Sequence, residues 1–346
     1  MTARKLDSLL VTSIDNVFYL SGFTGSTGTL LVTGEECYIL VDPRYSIQAR
    51  AECPDAEVKD YSGKTGTAAA AELAAELAPR TLGYEAGHIT VTAYRELRRL
   101  VGRSTGLRAT DGIVETIRRV KDADEIETIR TAARIADAAF DSVLTEIRPG
   151  ITEREVALLI DTTLRRTGAD SSAFPTIAAS GHNAARPHAS PTDEAVARGQ
   201  MLKLDFGARY KGYCSDITRT IFVGKPTARQ KEIYGIVLDA QLAAIEAIRP
   251  GAAGADIDSV ARELIARHGY GDQFAHGLGH MIGIAVHDGP AFSATSKVVL
   301  EPGMAASVEP GIYIEGWGGV RIEDDIVVTE AGAEVLTRAP KELLSI

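Results

Sequence analysis

Apolar and polar positions change period along the chain, and each change marks an element. Ser8 to Thr12, Thr29 to Val32 and Cys37 to Val41 are short apolar runs of strand length and composition. Tyr45 to Ala51, Gly66 to Ala78 and Thr92 to Val101 carry helical spacing, and the Ala-rich TAAAAELAAELA stops at Pro79. These elements predict an α/β unit over residues 1–118. Within it GFTGSTGT, Gly22 to Thr29, lacks GxGxxG spacing and leads into a strand, which predicts a hairpin loop rather than a phosphate cradle. Asp42, Arg44 and Tyr45 stand at a strand-to-helix junction, where capping and turn roles prevail. From Lys121 the pattern KDADEIETIRTAARIADAAFDSVLTEI is helical throughout, with acidic residues in its first turn. The domain boundary is therefore placed at Arg118 to Val120, with a second domain over 119–346.

In the second domain Met201 to Phe222 alternates strictly enough to predict a β-hairpin. Leu202, Leu204 and Phe206 share one face, and Lys203 and Asp205 share the other. After a turn at Tyr210, Lys211 and Gly212, Asp216, Thr218 and Thr220 lie opposite Ile217 and Ile221. Asp205 and Asp216 then become near cross-strand neighbours, roughly 5 Å apart at Cβ. Two carboxylates that close require either a shared proton or a cation between them.

The domain repeats itself. Arg148-Pro149-Gly150 recurs as Arg249-Pro250-Gly251, and each is followed by a helical pattern ending 20 positions after its Arg, in Gly168 or Gly269. Gly199 precedes Asp205 by six residues, and Gly303 precedes Glu309 by six. Glu309 then pairs with Glu323 across Gly316, Trp317, Gly318 and Gly319. A pseudo-twofold axis relating the halves turns both acidic pairs toward one small volume. Four carboxylates there are very costly unless cations fill the space.

Of the seven histidines, His276, His280 and His287 fall between the two hairpins, and His182 and His188 shortly precede the first. Gly277 and Gly279 argue for strand or loop rather than a zinc-binding HExxH helix, whose Glu is also missing. One histidine joined to four carboxylates makes a hard, oxygen-rich donor set. It suits two manganese-like divalent ions, with cobalt, zinc or iron as alternatives, and a bridging water acidified toward hydroxide.

Bulk composition limits the partners. The 346 residues are 45% hydrophobic and 24% charged, enough for about two cored domains. A formal net charge of −10 argues against nucleic acid and anionic membrane surfaces. Cys37, Cys53 and Cys214 form no CxxC pair, which points to a reducing compartment. No signal-like or membrane-length apolar run occurs, so a cytoplasmic location is expected.

Together LDFGARYKGYCSDITRT, HGLGHMIGIAVHDGP, SVEPGIYI and GVRIEDD resemble the pita-bread metallopeptidases, specifically the Xaa-Pro peptidases, aminopeptidase P and prolidase. DNVFYLSGFTGSTGTLLV and VDPRYSIQAR more loosely resemble that family's N-terminal domain. The resemblance implies an α/β N-terminal domain followed by an α+β pita-bread catalytic domain with an internal pseudo-twofold repeat. It implies Asp205, Asp216, His280, Glu309 and Glu323 as ligands of two divalent metal ions. It further implies a metal-bridging hydroxide as nucleophile and Glu309 as general acid/base. His188 and His287 would stabilise the tetrahedral intermediate, His276 would line the pocket, and Arg321 would orient a carboxylate ligand or the substrate. His182 and His268 are left as structural residues. The substrates implied are short proline-containing peptides, and the expected assembly is a homodimer.

Methionine aminopeptidases share the metal residues but usually lack such an N-terminal domain, and creatinase-like enzymes lack the metal set. An inactive pita-bread binding module conflicts with the intact ligands. Between the peptidases, the interval PGIYIEGWGG contains no Arg or Lys to grip a free proline carboxylate. That favours an Xaa-Pro aminopeptidase, with Xaa-Pro dipeptidase (prolidase) as the alternative.

Overall fold

Alternating side chains give the first of two units a sheet covered on both faces. The computed structural model describes residues 5–346. The first unit ends at Ile117 and the second spans Arg118–Ile346. In chain order the first contains β1 (Ser8–Val11), α1 (Ile14–Ser21), β2 (Thr29–Thr33), β3 (Cys37–Val41), α2 (Ser46–Glu52) and β4 (Glu57–Asp60). It continues with α3 (Gly66–Leu77), β5 (Thr81–Glu85), α4 (Val91–Val101), β6 (Gly106–Thr110) and α5 (Ile113–Arg118). The strands form one sheet in the order β4-β3-β2-β1-β5-β6. Leu10, Leu31, Leu40 and Leu82 pack with Ala70 and Leu97 of α3 and α4 on one face. Leu9, Val11, Leu30 and Ile39 pack with Val17, Ala49 and Val114 of α1, α2 and α5 on the other.

Two expectations change here. Gly22 to Thr29 is not a hairpin loop, because it joins α1 to β2. Helix α1 has only eight residues, too few for a helical period to stand out beside the apolar runs around it. Strands β4 and β6 also lack a sequence signal, for they are the sheet edges and carry exposed or half-exposed polar residues.

The second unit opens with α6 (Ala123–Leu144) and α7 (Glu153–Arg166), each started by a capping box, Asp122 with Glu125 and Thr152 with Glu155. Then come β7 (Ser171–Ser172), β8 (Ile177–Ser180), a 3-10 turn over Gly181–Ala185, β9 (Met201–Phe206), β10 (Ala208–Tyr210), β11 (Tyr213–Cys214) and β12 (Ile217–Phe222). The second half has α8 (Ala228–Ala247), α9 (Gly254–Arg267), β13 (Gly279–His280), β14 (Ala291–Phe292) and β15 (Ala305–Val308). It closes with β16 (Gly311–Ile314), β17 (Gly318–Arg321), β18 (Asp324–Thr329) and β19 (Gly332–Val335).

Each half puts a helix pair against its strands. Phe140, Ile160, Leu204, Phe206, Ile217 and Ile221 share one core. Val237, Ile257, Val308, Ile322 and Ile326 share another. Gly168 and Gly269 end α7 and α9 at equivalent places with φ of 114° and 86°, a conformation that favours glycine. The architecture is an N-terminal α/β domain and a pita-bread catalytic domain with the internal repeat.

Candidate metal centre

The alternation in β9 and β12 decides which side chains reach the site. With Leu204, Phe206, Ile217 and Ile221 in the helix-side core, Asp205 and Thr218 project to the opposite face. The register pairs Asp205 with Thr218 and Phe206 with Ile217, so Asp216 lies diagonal to Asp205 instead of facing it. The turn is centred one residue later than the sequence symmetry implied, because Tyr210 pairs with Tyr213. In the second hairpin Val308 pairs with Asp324 and Gly311 with Arg321. The two ladders keep the same offset on either side of Glu309 and Glu323, whose own amides donate to the Leu278 and Thr218 carbonyls.

Both acidic pairs line one cavity. Its two adjoining lobes have volumes of about 330 and 440 Å³ and share His188, His280, His287, Glu309 and Arg321. Asp205, Asp216 and Glu323 line the larger lobe, and His276 lines the smaller. One donor atom from each of Asp216, His280 and Glu323 lies within 4.8 Å of the others. His280 Nε2 is 3.6 Å from Asp216 and 3.4 Å from Glu309. Asp205, Asp216, His188, His276, His280, His287, Glu309, Arg321 and Glu323 are therefore assembled around one volume.

The electrostatics fit cations. Asp216 Oδ1 and Glu323 Oε1 are buried without a hydrogen-bond partner among the described residues, a costly condition for a carboxylate oxygen unless a cation meets it. Burial, and then the neighbouring carboxylates, push both acids well above the usual carboxylate range. Burial also raises Glu309 to about 7, although Arg321 opposes the rise. His280 is lowered by burial, which keeps its imidazole neutral and able to donate a lone pair. This donor set suits divalent ions, whose charge would offset the carboxylates.

Arg321 grips Asp205 with one guanidinium nitrogen. Its other nitrogens donate to Thr218 Oγ1 at 2.9 Å, the Tyr313 hydroxyl at 2.7 Å and the Pro187 carbonyl at 3.2 Å. His276 sits between a carbonyl and a phenol. Nδ1 donates to Gly277 O at 2.7 Å, which leaves Nε2 to accept from Tyr313 at 2.9 Å. Burial and then Arg321 hold His276 down to about 4, so its ring is a neutral wall with both nitrogens occupied. His287 packs edge-to-face on His280 with centroids 4.1 Å apart. His182 and His268 are not among the lining residues.

Several supporting residues had escaped the sequence reading. Ser307 Oγ accepts from the His280 amide at 3.0 Å and donates to Glu309 at 3.2 Å. Thr218 donates to Glu323 at 2.5 Å, and Asp325 accepts from the Asp216 amide at 2.8 Å. On α9, Asp258 accepts from the Leu278 amide at 3.0 Å, and Arg262 donates to the Phe274 and His276 carbonyls at 2.9 and 2.7 Å. Alternation puts Lys203 on the site face with Asp205 and Thr218 on it with Asp216, which is the sequence signal for those two residues. Ser307, Asp325, Asp258 and Arg262 depend on contacts distant in sequence and carry no local mark.

The chain matches the metallopeptidase family M24 model over residues 127–330 and the creatinase/prolidase N-terminal domain model over 1–120. An Xaa-Pro dipeptidase of Pyrococcus furiosus is 38% identical over 99% of this chain and 97% of its own length. The solved structure of an Xaa-Pro dipeptidase from Bacillus anthracis superposes with a TM-score of 0.95 at 42% identity, covering 100% of this chain and 96% of that one. An X-Pro aminopeptidase structure from Thermotoga maritima gives a TM-score of 0.92 at 38% identity, over 99% and 98% of the two chains.

Proposed function

Because the chain belongs to metallopeptidase family M24, among its Xaa-Pro peptidases, we propose that it is an Xaa-Pro aminopeptidase, removing the first residue of peptides whose second is proline. The observation that carries this choice is the cavity's cation inventory. Arg321 is the one Arg or Lys among its described lining residues. All three of its guanidinium nitrogens are already engaged by Asp205, Thr218, Tyr313 and Pro187. A dipeptide's free carboxylate thus meets no uncommitted guanidinium or ammonium, while a longer peptide needs none.

Asp205, Asp216, His280, Glu309 and Glu323 would hold two divalent ions, manganese by the hardness of an oxygen-rich set. Bound there, the ions supply Lewis acidity and lower the pKa of water. Glu309 takes the proton of the attacking water and passes it to the departing proline nitrogen, a relay suited to a carboxyl group that lines both lobes of the cavity. His188 and His287 face the scissile carbonyl and donate to its oxygen as negative charge develops. Arg321 fixes Asp205, and the neutral His276 ring walls the pocket. Proline makes a tertiary amide without N–H, so recognition falls to the apolar lining, Phe174, Pro175, Ile177 and Val286.

A second reading, Xaa-Pro dipeptidase, is favoured by the activity named for the Pyrococcus furiosus and Bacillus anthracis relatives. Product analysis separates the two. Manganese-loaded protein is offered Xaa-Pro and the matching Xaa-Pro-Yaa side by side. Release of the first residue from the tripeptide is the expected result, and cleavage of the dipeptide alone would establish the dipeptidase.

A further inference from the structure

Lys203 is fully buried on β9, on the same face as Asp205. A buried side-chain nitrogen is an expensive occupant of such a place and persists only where its hydrogen bonds are made. Three carbonyls surround it. Nζ donates to Arg186 O at 2.6 Å, Pro187 O at 3.1 Å and Ala184 O at 3.3 Å, and it lies 5.1 Å from the centroid of the Tyr313 ring. These carbonyls lie at and beyond the end of the 3-10 turn Gly181–Ala185, where the chain leads directly into His188.

His188 itself is exposed to the cavity, so the backbone that carries it sets its position. Arg321 donates to the same Pro187 carbonyl. At the segment's other end buried Glu153 accepts from the Ser180 amide, Asn183 and the Thr192 amide at 2.6, 2.8 and 2.9 Å. The segment is therefore anchored at its base by the Glu153 carboxylate and beneath His188 by the Lys203 nitrogen and the Arg321 guanidinium.

We infer that Lys203 is a positioning residue for His188, holding the Ala184–Pro187 backbone so that the imidazole meets the substrate carbonyl. The inference rests on the peptidase reading above and assigns Lys203 no contact with substrate or metal. An aliphatic residue of similar length fills the volume but removes this donor from the Ala184 and Arg186 carbonyls and leaves the Pro187 carbonyl to Arg321 alone. Small displacements of a reacting group lower turnover far more than they weaken binding.

The test is a double-mutant cycle of K203M and H188A in metal-loaded protein, read as kcat and KM on an Xaa-Pro-Yaa peptide, with metal content measured alongside. K203M is expected to lower kcat at least about tenfold with KM changed less than about threefold. In the H188A background the same substitution is expected to change kcat less than about twofold. Metal content stays at the wild-type value. Should K203M fail to fold, K203Q takes its place in the same cycle. Equal fractional losses in both backgrounds, unchanged kcat in the single variant, or lost metal would overturn the inference. Absence of Xaa-Pro cleavage by wild-type protein would instead refute the peptidase reading, and this inference with it.

Discussion

At the scale of single residues, the site's chemistry lies in acids held where they cannot all ionise. Glu309 is raised to about 7, and Asp216 and Glu323 are raised well above the usual carboxylate range by burial and then by neighbouring carboxylates, Glu323 first for Asp216 and Glu309 first for Glu323. An acid raised on folding binds its proton more tightly folded than unfolded, so its contribution to stability is complete at low pH and is lost as pH rises through the raised value. His276, His280 and His287 are lowered by burial and act in the opposite sense, adding stability as pH climbs to about 6.5. Above that pH the imidazoles are neutral in both states, the raised carboxylates withdraw stability, and Lys203, lowered well below the usual ammonium range by burial, adds it. In chelator the thermal midpoint of wild-type protein is therefore expected to fall relative to that of the D216N/E323Q variant as pH rises from about 4.5 to 7. Calorimetry on both proteins across that window checks it; a constant difference would show that the two acids are not raised.

At the scale of elements, hairpins and short turns carry the site, and the sequence shows them unevenly. The alternation in Met201–Phe206 and Ile217–Phe222 was legible because one sheet face meets a helix pair, and the period of two survives. Residues such as Asp258 and Ser307 were not, because their roles are contacts made across the fold. The diagonal offset of Asp216 was also hidden, since one turn residue shifts the register without changing the pattern. Strand β13, which presents His280, depends on close approach. A Cβ at Gly279 would sit 2.1 Å from the Ser307 carbonyl oxygen and 2.9 Å from its hydroxyl. Gly279→Ala must displace β13 or β15, at about 1–3 kcal/mol as for other overpacked sites. Denaturant titration should show that loss together with weaker metal binding. Wild-type affinity and stability would mean that the two strands have room to part.

At the scale of the whole molecule, the repeat explains why a chain with net charge −10 gathers four carboxylates in one cavity. Each half supplies one acidic pair, and neither half forms the site alone. A bound divalent ion should stabilise the fold by mass action, about 2.7 kcal/mol at a hundredfold excess over Kd. The expectation is a lower thermal midpoint in chelator and recovery when manganese is returned. Among the described residues no helix is long and apolar enough to cross a membrane. The most direct measurement is metal content per chain after equilibrium dialysis against manganese, made on wild-type protein and on the D216N/E323Q variant. Wild-type protein should hold about two ions and the variant close to none, with its far-ultraviolet circular dichroism unchanged. A wild-type chain that binds no metal, or a folded variant that keeps the full complement, would contradict the assignment of these acids as the ligands.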